Sequence, residues 1–594
     1  MSNIAKRKVS DNIKRRVKQF GFILAWLAIF SIRIIHLDSD MPNYGIAYYQ
    51  QVDEGPYAYL ALNKINYGYI NPDLMVDEVD QYTAPHLRTN LVGNLLSYIT
   101  IKIFGKNYYG LRMSSIICML LNYALIFLLL SQIRKKYAED TKKSMYTMLG
   151  LFLLLTFDFT FTLASRIVET SIYRMLFVLM GVYICFVCKD NSKIKYLLLG
   201  FISMFSVFGI YITNIFFVIA CIATMAVVFF RGDKKKAIIS MLFYSLGAVG
   251  AIVLCETYMQ HFWNTSLFNN CLVIISNFSN IGGYIESGES NRIYYAINFF
   301  ASSFNLYNPG ILLLTLAFVP ILVMQLHKKK DENIMLLLFC YAAMFVQTIF
   351  SEDFIIRKNI VIVPVIIFLV YIGLLQFENI IRDWSKRKRF LYSLYLSGCL
   401  VVTLAIYIYR FKFMKDDSSL DFSKYDKRVI FIFAILIVVL LLNCVLMKVC
   451  KIDYFNKKIA CSALVGLFGI SVYMNWNYIY TNQTYSDRNI MTELQNTQRE
   501  SNYVVGQYMQ SFSLYNDCIP VVNYPDSMKK TLLEHKGWLY FDYSTNWNSG
   551  MVDYIEGVLA DSGYHLVQEK EFERSTKTLG VIRNVALYRV EKVN

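Results

Sequence analysis

Asp53 and Glu54 stand side by side in Val-Asp-Glu-Gly-Pro-Tyr-Ala-Tyr-Leu-Ala-Leu (52–62), a stretch whose Pro56 and acids read as the start of a helix. A carboxylate there meets free backbone N–H groups and the positive end of the helix dipole, which keep it ionised near neutral pH. Such a group suits a general base. It equally suits a simple helix cap, and Asp53 alone does not decide between them. A second pairing, Ser-Arg-Ile-Val-Glu (165–169), sets Arg166 and Glu169 about one helical turn apart, so that both heads share a face. There the acid can steer a substrate or partner the base, or the two can form an interfacial salt bridge with no chemistry. Asp158 lies in an apolar run, and an ionisable group at membrane depth is costly unless it lines a polar cavity. The last cluster is Ser-Glu-Asp-Phe-Ile-Ile-Arg-Lys-Asn (351–359), with Arg357 and Lys358 between two apolar runs.

The elements that must position these groups are membrane helices. Of 594 residues 56% are hydrophobic and 17% charged, which excludes an ordinary soluble enzyme and a disordered chain. Thirteen apolar spans are expected: 20–36, 113–132, 145–163, 170–188, 196–212, 213–230, 237–257, 309–326, 333–350, 360–377, 390–409, 429–447 and 459–478. The net charge of +16 raises the question of nucleic acid. Its placement answers that no nucleic-acid partner is expected. Lysine and arginine gather in the basic tail 1–19 and in alternate short loops, whereas residues 258–308 carry only Arg292 and residues 37–88 only Lys64 and Arg88. By the positive-inside rule the N-terminus is cytoplasmic and the first span is a retained signal anchor. The loop 410–428 dissents with six basic residues, and 196–230 reads either as two short spans or as one tilted helix.

Residues 20–478 thus form a multi-span domain with a large first outer loop, 37–112, and residues 479–594 change character. That tail has 14 acids and 11 bases. Apolar runs at 518–523 and 537–542, a helical stretch at 550–562 and alternation at 564–572 and 581–590 predict a small extracytoplasmic α/β domain. Ten of the twelve cysteines fall in or beside spans; Cys271 and Cys518 are outside, where pairing is less expected than two free thiols. No second CxxC accompanies the single Cys185–Cys188 motif, which at a span end more often packs lipid than binds metal, and neither HExxH nor another specific metal-ligand set is present.

The first outer loop holds eight acids within 37–88, against the basic trend of the chain. In order it presents Asp53-Glu54, Tyr57 and Tyr59, then Thr83-Ala84-Pro85-His86, then Phe104-Gly105-Lys106-Asn107-Tyr108-Tyr109-Gly110-Leu111-Arg112 leading into the next span. This order resembles the GT-C membrane glycosyltransferases, especially the protein O-mannosyltransferase and aminoarabinose-transferase branch, over roughly residues 10–380. Pro85-His86-Leu87-Arg88 replaces the family's consecutive prolines. The resemblance implies an α-helical polytopic membrane protein that moves a sugar from a polyprenyl-phosphate donor to an extracytoplasmic glycan, lipid or protein, with inversion. Asp53 would be the base, Glu54, Glu169, Arg166, Tyr57, His86 and Asp158 would contact or orient substrates, and Arg357, with Lys358 second, would hold the phosphate. Departure of a polyprenyl phosphate leaves negative charge that a guanidinium can bind through two oxygens. A divalent metal is optional by the same resemblance. An envelope-glycan polymerase using a polyprenyl diphosphate donor, or a lipid flippase, remain the competing classes.

Overall fold

The computed structural model describes residues 23–40, 50–67, 90–188, 192–263, 266–268, 311–329, 331–351, 360–382, 384–392, 476–481, 483–496, 502–506, 513–522, 532–534, 538–542, 551–576 and 581–593, with a few isolated positions. The expected spans 390–409, 429–447 and 459–478 lie almost wholly outside them.

The protein is a multi-pass helical membrane protein. Its helices are α1 (Ile23–Ile34), α2 (Gln50–Tyr67), α3 (Leu91–Phe104), α4 (Tyr108–Tyr137), α5 (Thr141–Thr156), α6 (Phe159–Ala164), α7 (Thr170–Val187), α8 (Lys193–Phe205), α9 (Ile215–Phe230), α10 (Lys234–Trp263), α11 (Ile311–Lys329), α12 (Glu332–Ser351) and α13 (Ile362–Arg382). Among the described residues five stretches are long and apolar enough to cross a membrane: Tyr108–Tyr137, Thr170–Val187, Lys193–Ile210, Ile212–Phe230 and Lys234–His261.

Burial sorts these helices physically. Every residue of α13 from Ile362 to Ile372 is buried, which places it at the centre of the bundle. In α10 the exposed stripe is apolar, with Ile238, Leu242, Leu246, Val249 and Val253 facing outward as a lipid-facing helix requires. Its inner face is small-residue packing against α8. A Cβ on Gly200 would fall 2.0 Å from the Tyr244 carbonyl oxygen, and one on Gly247 would fall 2.0 Å from that of Leu197. The two backbones approach as closely as glycine allows.

The ambiguous stretch 196–230 is two spans. After α8 the chain makes a π turn at Ser206–Ile210, passes through extended Tyr211 and a short 3-10 turn at Ile212–Asn214, and reverses into α9. The far end of α9 comes back beside the starts of α8, α10 and α12, where Tyr196, Val228, Ser240 and Glu332 line one cavity.

At the opposite end of the bundle sits a five-stranded sheet with α14 (Ser486–Asn496) and α15 (Met551–Ala560). Its strands are β1 (Tyr503–Gly506), β2 (Ile519–Val522), β3 (Trp538–Asp542), β4 (Tyr564–Thr576) and β5 (Val581–Lys592), in the order β2-β1-β3-β5-β4. β1 runs parallel to β2 and β3, while β5 is antiparallel to β3 and β4. A register shift between Gln568 and Lys570 marks a bulge in the long β4–β5 ladder. The sheet does not float free: Ile490, Met491, Leu494, Phe572 and Leu587 share one buried apolar cluster with Tyr57, Ala58, Ala61 and Leu62 of α2. Cys518 is a buried free thiol, and Cys271 lies outside the described residues.

Candidate functional site

The site is built on the corner between α3 and α4. α3 has 14 residues, about 21 Å of helix, too short to cross about 30 Å of hydrocarbon. Its faces are inverted relative to a soluble helix. Asn94, Ser97 and Thr100 are buried, while Leu95, Ile99 and Ile103 are exposed, so it lies along the membrane surface with its polar face toward the protein. Gly105 ends it at φ +100°, in the left-handed region that glycine occupies without strain. Asn107 then caps α4 by accepting from the Gly110 N–H at 2.7 Å. Gly110 has no room for a side chain, since a Cβ would lie 2.1 Å from the Gly105 carbonyl oxygen. This turn chemistry delivers Arg112 to the interior one turn into α4.

Arg112 is fully buried and so is its partner Glu54 on α2. Nε donates to Glu54 Oε1 at 2.9 Å and Nη2 to Oε2 at 2.9 Å, a bidentate pair. The second Nη donates to the carbonyls of Leu37 (2.8 Å) and Ser39 (2.6 Å). Glu54 Oε1 also accepts the Val168 backbone N–H at 3.2 Å. One carboxylate thus ties α2, α4, the chain leaving α1 and the turn before α7. A carboxylate with both oxygens engaged in this way is poorly placed to take a substrate proton; its effect is to hold α2. Asp53 is the preceding residue of the same helix, within its first two turns, and its side chain lies outside the described residues.

Arg166 and Glu169 do not share a helix face. Arg166 is in the turn that closes α6, and Glu169 is the extended residue before α7. Arg166 reaches back to α1, donating to the carbonyls of Arg33 (2.9 Å), Ile35 (2.7 Å) and His36. It caps the end of that helix, where a cation is favoured. Burial lowers its pKa to about 9, which leaves it cationic at neutral pH. Glu169 is 3% exposed and accepts from the Ser171 hydroxyl at 2.9 Å. Asp158 is not inside a continuous span. The helix expected over 145–163 breaks after Thr156, and Asp158 caps α6, accepting from the Phe161 N–H at 2.8 Å. A short polar side chain that can satisfy a free N–H makes the break favourable. Tyr57 is 2% exposed, its hydroxyl accepts from Asn90, and its ring lies 6.4 Å from that of Tyr173. His86, Arg357 and Lys358 fall outside the described residues.

The sequence reading missed two arginines. Arg33, 2% exposed in α1, donates to Thr162, Tyr123 and the Thr156 carbonyl. Arg174 in α7 is equally buried, donates from Nε to Asn214 Oδ1 at 3.1 Å and lies 5.6 Å from the Tyr211 ring centroid. Arg174 stands at the level of the α8–α9 reversal, and an arginine within a predicted span is itself the signal that could have found it. Among the described residues no group of three or more His, Cys, Asp or Glu side chains is arranged to hold a metal ion.

Short helices beside the bundle, a buried acid–arginine pair at the first loop and a mixed sheet packed over them make up this end of the protein. Two crystal structures of ArnT from Cupriavidus metallidurans have the same fold. The one bound to undecaprenyl phosphate matches with a TM-score of 0.54 at 11% sequence identity, over 96% of this chain and 98% of that one. The apo structure matches at 0.52 with the same identity and coverage. By sequence, no family model and no curated protein matches the chain.

Proposed function

We propose that the protein is a membrane glycosyltransferase that moves a sugar from a polyprenyl-phosphate donor to an acceptor on the outer face of the membrane. The observation that carries this reading is the fold, shared over nearly the whole length with ArnT, one of whose structures holds undecaprenyl phosphate. The acid–arginine clamp supports it, because a rigid α2 is what a base on that helix requires.

In this mechanism Asp53 takes the proton of an acceptor hydroxyl as its oxygen attacks the anomeric carbon. The glycosidic bond to phosphate breaks in the same displacement, and the configuration inverts. Glu54 acts by holding α2, and Arg166 by holding the chain that leaves α1. Glu169, Asp158, Tyr57 and His86 are assigned to substrate orientation, and Arg357 and Lys358 to the phosphate, where a cation offsets the charge released on departure. A divalent metal is an optional addition for which no ligand set is assigned. The N-terminus is cytoplasmic and residues 479–594 form an extracytoplasmic domain, as the basic inner loops indicate.

The experiment is reconstitution of the full chain in vesicles with a polyprenyl-phosphate sugar and envelope acceptors. Release of polyprenyl phosphate coupled to a new glycosidic bond is expected. Movement of labelled lipid between leaflets without bond formation supports a flippase instead. Activity only with a diphosphate-linked oligosaccharide supports the polymerase class.

A further inference from the structure

The segment leaving α1 touches both the buried arginines and the sheet domain. His36 is in the left-handed region at φ 51°, a sharp bend after which residues 38–40 meet the start of α14. Asp40 accepts there from two backbone donors, Ser486 N–H to Oδ2 at 2.6 Å and Asp487 N–H to Oδ1 at 3.1 Å. The contact is reciprocal, since the Asp40 N–H donates to the Thr484 carbonyl at 2.9 Å. Asp40 is therefore the N-cap of a helix more than 440 residues further along the chain, supplied from the membrane domain. Arg488 adds an ion pair to Asp38 at 2.7 Å and lies 4.4 Å from the Tyr485 ring centroid. The Tyr485 hydroxyl meets His36 Nδ1 at 2.6 Å.

On its other side the same segment is gripped from the membrane. Arg112 binds the carbonyls of Leu37 and Ser39, and that guanidinium holds Glu54, the neighbour of Asp53. A second line of contact runs parallel: Tyr515 accepts the Tyr108 N–H at 3.0 Å, one turn before Arg112, with the two rings 5.7 Å apart. Burial raises the Tyr515 phenol to about 12, so it stays neutral at any working pH.

We infer that residues 484–488 of the sheet domain and residues 36–40 form a brace that positions the Asp53–Glu54 helix, with Asp40 as the positioning residue. Resting on the transfer reading above, this gives the sheet domain a role in the chemical step: the capped α14 fixes Ser39, Ser39 and Leu37 fix Arg112, and Arg112 fixes Glu54. The alternative role, acceptor recognition, makes a different kinetic signature, because a lost recognition contact raises KM whereas a displaced base lowers kcat.

The test uses the full-length protein in vesicles with a polyprenyl-phosphate sugar and a saturable acceptor, beside hydrogen exchange over Gln50–Tyr67. Asp40→Ala removes the cap. It is expected to speed exchange both at the start of α14 and in α2, and to lower kcat about tenfold with both KM values within about twofold of wild type. Asp40→Asn keeps an accepting oxygen and restores both readouts to within about threefold. If Asp40→Ala does not fold, Arg488→Ala, which removes the partly exposed ion pair with Asp38 and the contact with the Tyr485 ring but leaves the Asp40 cap, is expected to move both readouts in the same direction by about twofold. Lys570→Ala breaks an exposed pair with Glu493, in the second half of α14 and away from its capped start, and is expected to change neither. Faster exchange confined to α14 with α2 unchanged overturns the brace, as does a rise in acceptor KM at constant kcat. If wild type shows no transfer, the transferase reading fails, and the exchange in α2 still decides the brace.

Discussion

The two ends of the helical bundle use ion pairs in opposite ways. At the sheet-bearing end Arg112 and Glu54 are both 0% exposed and bidentate, and each of the three guanidinium nitrogens has an acceptor. At the far end Lys136–Asp331 (3.1 Å) and Lys236–Glu332 (2.6 Å) join helix termini, with side chains between 16% and 39% exposed. The far pairs are partly exposed and, screened by solvent, contribute little. The near pair is costly to form, because two charges leave water, and it persists because backbone carbonyls and one N–H complete its shell. A buried pair on these terms is retained for geometry rather than for stability, and the geometry it sets is that of the helix carrying Asp53.

The largest effect expected is therefore from Arg112→Ala. It strands Glu54 and the carbonyls of Leu37 and Ser39 and should destabilise the protein by about 3–5 kcal/mol, read as loss of the folded species on gel filtration and in thermal melts. Replacing both partners sharpens the comparison. Arg112→Met with Glu54→Gln should recover more than half of that loss in the same melts while leaving transfer impaired, because the charge is gone but the alignment of α2 is not restored. A pair that served stability alone would return both together. Smaller again is Asn107→Ala, which removes the α4 cap and should cost about 1 kcal/mol, lowering the melting temperature of a chain this long by about 1 °C. Smallest is Lys136→Ala at the far end, expected to change stability by about 0–1 kcal/mol and transfer not at all. A large loss from Lys136→Ala would erase the distinction between the two ends.

Much of this architecture was legible from residues. The apolar spans that fall among the described residues, the apolar runs at 518–523 and 537–542 and the strands at 564–572 and 581–590, found as β2 to β5, rest on periodicity, which burial on one face enforces. The break between α8 and α9 was only half legible, because Tyr211 and Asn214 give a weaker signal than a glycine or proline would. The assignment of roles within the charged clusters was harder. Glu54 and Asp53 are equivalent in sequence, and only the arrival of Arg112 from 58 residues away distinguishes the clamped acid from its neighbour. Arg166 looks like a surface cation beside Glu169, yet it turns inward to the carbonyls of α1, a choice that depends on where that helix ends in space. Asp40 read as one of eight loop acids, and nothing local shows that it caps a helix near the other terminus. Long-range partners are what a single sequence hides.

The most direct test of the central claim is turnover of a polyprenyl-phosphate sugar by the reconstituted chain and by Asp53→Asn. Wild type is expected to release polyprenyl phosphate with one inverted glycosidic bond formed per turnover. Asp53→Asn, folded and with the Glu54–Arg112 clamp intact, is expected to lose at least about 100-fold in kcat with little change in donor KM. Full transfer by that variant would contradict the assignment of the base, and no transfer by wild type from any polyprenyl-phosphate sugar would contradict the account as a whole.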